Sequence, residues 1–269
     1  MSTFDRNSYA RAQGYAAGRA EAGVIDQGLR SYMLKVYNLM AVGLVVTGLV
    51  ALGTAYFAVT GDPSAAAQMA GGQVAQIGQN MYLTSLGLAL YASPLKWLVM
   101  LAPLGMVFFL SFRVHKMSTA SAQTAFWVFA ALMGLSLSSI FLVFTGASIA
   151  RVFFITAASF GALSLYGYTT KKDLSGWGSF LFMGLIGIII ASLVNLFIAS
   201  SALQFAISVI GVLVFAGLTA YDTQQIKEMY YAGDSGEVAG KKAIMGALRL
   251  YLDFINLFMM LLQLFGNRN

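Results

Sequence analysis

The residues best able to do chemistry in this chain are ionisable groups set in apolar surroundings. Asp253 lies about ten residues into the run Ala243–Phe265, Asp222 closes the run Leu203–Tyr221, and Arg113 ends Leu95–Phe112. A charge at the centre of a bilayer costs at least about 2.5–3.5 kcal/mol on insertion scales, so such a residue either marks an ion or proton pathway or needs a structural partner. Structural roles are available for all three. Arg249 precedes Asp253 by one helical turn and can neutralise it within the helix. Asp222 can lie in water at a helix end, although the helix dipole gives an acid no support there. Arg113, beside His115 and Lys116, can act simply as an orientation-setting loop charge. Two aspartates at one depth would also suit an aspartyl intramembrane protease, but Phe254 rather than glycine follows Asp253, and Asp222 sits at a helix end.

Other chemistries fall more directly. The 269 residues hold one histidine, His115, and no cysteine, which removes clustered imidazole or thiolate metal sites, disulfides and cysteine nucleophiles. No phosphate-binding glycine loop, dinucleotide fingerprint or zinc-type helix motif occurs. No lysine lies in Ala243–Phe265 to carry a retinal Schiff base. The net charge of +6 is scattered over an apolar chain and builds no basic face for nucleic acid. No enzyme activity and no cofactor are expected.

These residues must be positioned by membrane helices. Hydrophobic residues make up 59% of the chain and charged residues 10%, with a mean hydropathy of +0.76; a soluble domain carries about a quarter charged residues. Crossing the hydrocarbon core takes about 20 apolar residues. Seven runs qualify: Leu34–Thr60, Leu95–Phe112, Ala122–Phe144, Ala150–Tyr168, Ser179–Ala199, Leu203–Tyr221 and Ala243–Phe265. Pro103 predicts a kink in the second. An eighth stretch, Tyr82–Ala92, is too short to span and reads as an interfacial or re-entrant piece. Residues 1–31 contain no apolar signal region and read as a flexible cytoplasmic tail, leaving 32–269 as the transmembrane domain.

Basic residues assign the orientation. They gather in the tail and in the second, fourth and sixth connections, among them Arg30, Lys116, Lys171, Lys172, Lys241 and Lys242, against Lys96, Arg151 and Arg268 on the other side. The N-terminus is therefore expected in the cytoplasm. Small residues, notably Gly134, Gly184, Gly187, Ala216 and Ala220, are expected where helices approach closely.

Two segments, Tyr221–Asp222–Thr223–Gln224–Gln225–Ile226–Lys227 and Leu250–Tyr251–Leu252–Asp253–Phe254–Ile255–Asn256–Leu257–Phe258, resemble the Bax inhibitor-1 family of seven-helix membrane proteins, and its bacterial members above all. The likeness runs from about Met33 to Phe265. It implies an all-α bundle of six helices around a central seventh, acting as a pH-sensitive calcium leak in the inner (plasma) membrane. It maps the family's hydrogen-bonded aspartate pair onto Asp222 and Asp253, and the arginine that latches the pair onto Arg113. Arg249 departs from that pattern and competes for Asp253.

Such a pair makes physical sense. Two carboxylates about 4 Å apart repel by roughly 4 kcal/mol at an effective dielectric near 20. Keeping one proton between them removes the repulsion, and the pair then titrates in two coupled steps. The singly protonated pair would hold the sixth and seventh helices together; its loss as pH rises would part them. Calcium suits the freed oxygens, since it accepts flexible oxygen coordination, and Asn256, one turn beyond Asp253, is a candidate extra ligand. The expected partners are calcium ions, the lipid bilayer and other membrane proteins, with the chain itself a monomer. Two other functions are compatible with the same residues: a non-conducting stress regulator that works through protein partners, and a proton-coupled cation exchanger.

Overall fold

Long apolar runs become helices because a bilayer offers backbone amides and carbonyls no water, so their hydrogen bonds must close within each segment. The computed structural model describes the backbone of residues 3–69, 72–78 and 80–269, and the side chains of those residues from Gln27 onward. Helix α1 (Thr3–Ala58) carries the first span, Gln27–Ala58. The others are α3 (Leu95–Arg113), α4 (Thr119–Leu137) continued by a short α5 (Ile140–Val143), α6 (Gly146–Thr169), α7 (Ser175–Ile198), α8 (Ser201–Glu228) and α9 (Gly236–Phe265). Among the described residues seven helices are long and apolar enough to cross a membrane, and they are the seven expected runs with their ends moved. The protein is an all-α, multi-pass membrane protein. Residues 1–31, expected as a loose tail, are helical in backbone from Thr3 and continuous with the first span; the side chains up to Asp26 lie outside the described residues.

Two end corrections bear on the site. Helix α8 runs past Tyr221 to Glu228, and α9 begins at Gly236, so Asp222 and Asp253 both lie inside helices. Serine and threonine hydroxyls fix four of the starts: Ser118, Thr145, Ser200 and Ser235 each accept the amide hydrogen bond that caps α4, α6, α8 and α9. Each such cap is worth about 1 kcal/mol. Helix α3 continues through Pro103.

The stretch expected as interfacial does not span, but it is more structured than its composition suggests. Strands β1 (Val59–Thr60), β2 (Gln76–Gly78) and β3 (Met81–Leu83) form a small antiparallel sheet with β3 in the middle. A one-turn α2 (Ser85–Gly87) and a π-helical turn, Leu88–Ala92, follow. Thr84 donates to the Phe57 carbonyl at 2.7 Å and Tyr91 meets Ser138 at 2.7 Å, which seat this segment on the ends of α1 and α4. Within the loop, Ser64 donates its amide and hydroxyl to Asp62, both at 2.8 Å, and these bonds hold the Asp62 carboxyl below the usual carboxylate range.

Helix α9 is the most enclosed span: 67% of its apolar window is buried, against 11% for α3 and α7. Its main neighbours are α1, α4, α6 and α8. Leu250, Tyr251, Phe254, Leu257 and Leu262 are its fully enclosed face. Phe180, Met183, Leu196 and Phe197 on α7 are exposed and face lipid. Lipid tails are as apolar as leucine, so packing must come from close approach and polar ties. At Gly134 a Cβ would lie 2.5 Å from the Thr47 carbonyl oxygen, which sets α4 against α1. Thr47 is also a hub: its hydroxyl donates to Ala130 O at 2.8 Å and meets Tyr251 Oη at 2.6 Å. Gly184 likewise abuts Val214, but Gly187, expected at a contact, faces open space with nothing within 4 Å of a Cβ.

Between α7 and α8 the chain turns at Ala199, whose φ of 52° and ψ of 35° lie in the left-handed region. An alanine held there costs about 1–2 kcal/mol. Ala199→Gly should therefore raise unfolding stability in mixed micelles by about 1 kcal/mol. Gly134→Ala should lower it by about 1–3 kcal/mol through overpacking, while Gly187→Ala should cause no loss. Equal effects at the two glycines would contradict the α1–α4 contact described.

Candidate functional site

Helix α8 brings its last turns against the middle of α9, and this contact sets the two acidic side chains face to face. The carboxyl groups of Asp222 and Asp253 are near neighbours across this contact. Ionised carboxylates have only acceptors, so a bond between them requires a proton on one. Asp253 is the deeper partner: the residue is 6% exposed, and its Oδ2 meets no hydrogen-bond donor among the described residues. Asp222 sits at the rim, its side chain 16% exposed.

The cation beside the pair is Arg249. Its Nη1 lies 3.9 Å from Asp222 Oδ1, and its side chain is half in the open. At that distance it is an ionic contact, not a hydrogen bond. Although Arg249 stands one turn before Asp253 on α9, it reaches across to α8 because Asp253 turns into the bundle while Arg249 stays at its edge. Arg113, the latch implied by resemblance, is exposed at the end of α3 and forms no ion pair with either aspartate among the described residues. The reason is placement: α3 packs chiefly on α4 and lies away from the α8–α9 contact. Asn256 donates its amide to the Leu252 carbonyl at 2.8 Å, so its polar head is engaged on its own helix. Among the described residues no cluster of three or more His, Cys, Asp or Glu could hold a metal ion.

The rest of the α8 segment holds Asp222 in position. Thr223 donates to Thr219 O at 2.7 Å and accepts from Ser164 of α6 at 2.9 Å; Ser164 in turn meets Tyr37 of α1 at 2.7 Å. With Thr223 committed to the Thr219 carbonyl, the protons of this chain run from Tyr37 to Ser164 to Thr223 and end on backbone. It is a three-helix tie, not a wire to Asp222. Gln224, 4% exposed, clamps the α6–α7 connection by donating to Lys172 O at 2.9 Å and accepting from Leu174 N at 2.8 Å. Lys227 donates to Tyr168 O at 2.8 Å and so satisfies a carbonyl of the last turn of α6. Two residues before Asp222, a Cβ at Gly167 would run into the Ala220 carbonyl, so the α6 and α8 backbones nearly touch.

Reading the residues one by one misses these supports, although Thr223, Gln224, Lys227 and Tyr251 all stand in the two segments that carried the resemblance. Tyr37 and Ser164 gave no signal beyond being polar at membrane depth. A model of the family described as inhibitor of apoptosis-promoting Bax1 matches residues 29–269. The chain belongs to this family. Relatives include an uncharacterized protein of Rickettsia prowazekii, 56% identical over 171 residues that are 64% of this chain and 72% of that one. The inner membrane protein YbhL of Escherichia coli is 55% identical over 172 residues, covering 63% of this chain and 74% of its own. An uncharacterized protein of Caulobacter vibrioides is 49% identical over 180 residues, 65% and 70% of the two chains.

In this Bax inhibitor-1 family member the polar supports should separate by variant. Tyr251→Phe removes the donor to the buried Thr47 and should cost about 1 kcal/mol. Tyr32→Phe should cost nothing or stabilise, because the buried Tyr32 hydroxyl has no partner among the described residues. Gln224→Leu should leave the Lys172 and Leu174 backbone groups unpaired and speed proteolytic cutting of the α6–α7 connection. Unfolding in mixed micelles and limited proteolysis read these out; a Tyr32→Phe penalty as large as that of Tyr251→Phe would refute the assignment.

Proposed function

We propose that this protein is a pH-sensitive calcium leak in the inner membrane, with Asp222 and Asp253 as its gate. The observation that carries this reading is the meeting of two carboxyl groups, one of them 6% exposed, at the packed contact of α8 and α9. With one proton between them they bind each other and hold the two helices together. As pH rises the proton leaves, the two charges repel by roughly 4 kcal/mol at about 4 Å and an effective dielectric near 20, and the contact loosens. The freed oxygens then offer a hard cation two carboxylates, which bind it weakly enough for it to leave. Arg249 takes the latch role: it stands by Asp222 and favours its charged form. The name of the Escherichia coli relative supports the inner membrane, and the basic connections support a cytoplasmic N-terminus. The protein works as a monomer, with calcium passing through and no resident cofactor.

Flux into dye-loaded vesicles, followed across pH with the purified full chain, tests this reading. Calcium entry should rise with pH in the wild type, and Asp222→Asn and Asp253→Asn should each flatten the profile. Arg249→Gln should move the rise to higher pH by about half a unit, in line with an exposed ion pair worth up to about 1 kcal/mol. Arg113→Gln should leave the midpoint in place. Unchanged pH dependence in both aspartate variants would sink the gate. Stoichiometric counter-flow of protons would turn the leak into an exchanger, and vesicles that stay tight at every pH would leave a regulator that acts through other proteins.

A further inference from the structure

Helices α1 and α6 run side by side but do not close on each other. Between them lies a cavity of 1350 Å³, floored by Phe254, Ile255 and Phe258 of α9. Along α1 it extends from Arg30 to Leu52, about 33 Å at 1.5 Å per residue, which is the thickness of the hydrocarbon core. Its walls are open where side chains are missing, because a Cβ on Gly48, Gly146 or Gly161 would meet nothing within 4 Å. The slot is long, almost wholly apolar and open to flexible hydrocarbon.

Its polarity is confined to one end. Thr47 is the exception, with its hydroxyl already engaged by Tyr251 and Ala130 O. The other polar side chains of the lining, Arg30, Tyr37, Ser164 and Tyr168, all lie toward the end of the bundle that carries the lysine-rich connections. Arg30 makes no ion pair among the described residues, and no acidic side chain lines the cavity. Lys227 stands over the Tyr168 ring, 5.6 Å from its centroid, and adds a second positive charge behind that wall. Apolar slots in a bilayer fill with acyl chains in any case; a cation at one mouth decides which head group stays. Basic pockets between transmembrane helices on that side of a membrane select anionic head groups.

We propose that the α1–α6 groove is a binding site for an anionic glycerophospholipid, its phosphate at Arg30 and its chains along Ala41, Leu44, Ala157 and Gly161. The inference is independent of the gate. Native mass spectrometry of the full chain, solubilised from equimolar phosphatidylglycerol and phosphatidylcholine vesicles, tests it, with the thermal shift on adding each lipid as a second readout. The wild type should retain phosphatidylglycerol preferentially and be stabilised by it. Arg30→Gln should cut the preference about fivefold, the effect of one basic residue at an anionic surface. Gly161→Leu, which grows into open space, should lower retention of both lipids without lowering stability in detergent. Equal retention of the two lipids, an unchanged preference in Arg30→Gln, or the same thermal shift from inorganic phosphate would each overturn the proposal.

Discussion

Two carboxyl groups enclosed by apolar helices must share a proton, find cations or move apart, and the contact between α8 and α9 is shaped by that constraint. Asp253 occupies the most enclosed span and has an oxygen with no donor among the described residues. Asp222, at the rim, is the member of the pair that a cation can reach, and Arg249 reaches it at 3.9 Å with half its side chain in the open. The division of burial thus makes the pair asymmetric: one acid whose charge Arg249 offsets directly from the bundle edge, and one set deeper, where its neighbour helps only by donating a hydrogen bond in its protonated form. An unpaired buried carboxylate is far costlier than a rim carboxylate beside a guanidinium, so the two members answer differently to the same change in protonation.

The positions that surround the pair explain why α8 can hold such a contact. Helices in lipid gain little from hiding apolar surface, since the alternative environment is equally apolar. What fixes this bundle is a short set of polar ties and close approaches. Thr47 joins α1, α4 and α9; Tyr37, Ser164 and Thr223 join α1, α6 and α8; Gln224 and Lys227 bind α8 to the α6 end and its connection. Such bonds average about 0.6 kcal/mol each in membrane interiors, so their value is in register more than in stability. Where α1 and α6 have no tie beyond Tyr37–Ser164 among the described residues, the lining small residues leave the groove open.

The spans were legible because hydropathy and length alone decide what can cross a bilayer, and all seven runs recur as helices. The depth of Asp222 was not legible in the same way. The polar run from Asp222 to Lys227 looks like a loop by hydropathy, but Thr223, Gln224 and Lys227 spend their polarity on neighbouring helices and let α8 continue to Glu228. The partner of the pair was misplaced for a related reason. Spacing within one helix offered Arg249 to Asp253, and resemblance offered Arg113, but neither encodes which helices adjoin; α3 packs on α4, and Arg249 turns to α8. The small sheet at residues 59–83 escaped because its strands are two or three residues long and carry no alternation. Gly187 shows the converse error, since a small residue on an apolar helix is as much at home against lipid as against a neighbour.

The two ends of α9 are held by different means, and this limits how the pair could part. At the far end the chain after Phe265 folds back on the α5–α6 corner: Asn267 O accepts from Thr145 N at 3.0 Å, Val143 O accepts from Asn269 N at 2.9 Å, and Asn267 N donates to Ser148 at 2.8 Å. These are backbone bonds in part, short and mutually reinforcing. At the other end α9 is tied to α8 through Lys242, which donates to Met229 O at 2.9 Å and pairs with Asp234 at 2.6 Å, and through the short connection 229–235 between the helices. A lysine on a four-carbon stem can keep both partners while the helices shift by an ångström or more, whereas a backbone bridge cannot. Separation of Asp222 from Asp253 would thus pivot on the fixed Asn267 end and open toward the lysine-rich end, where the rim aspartate and Arg249 already lie.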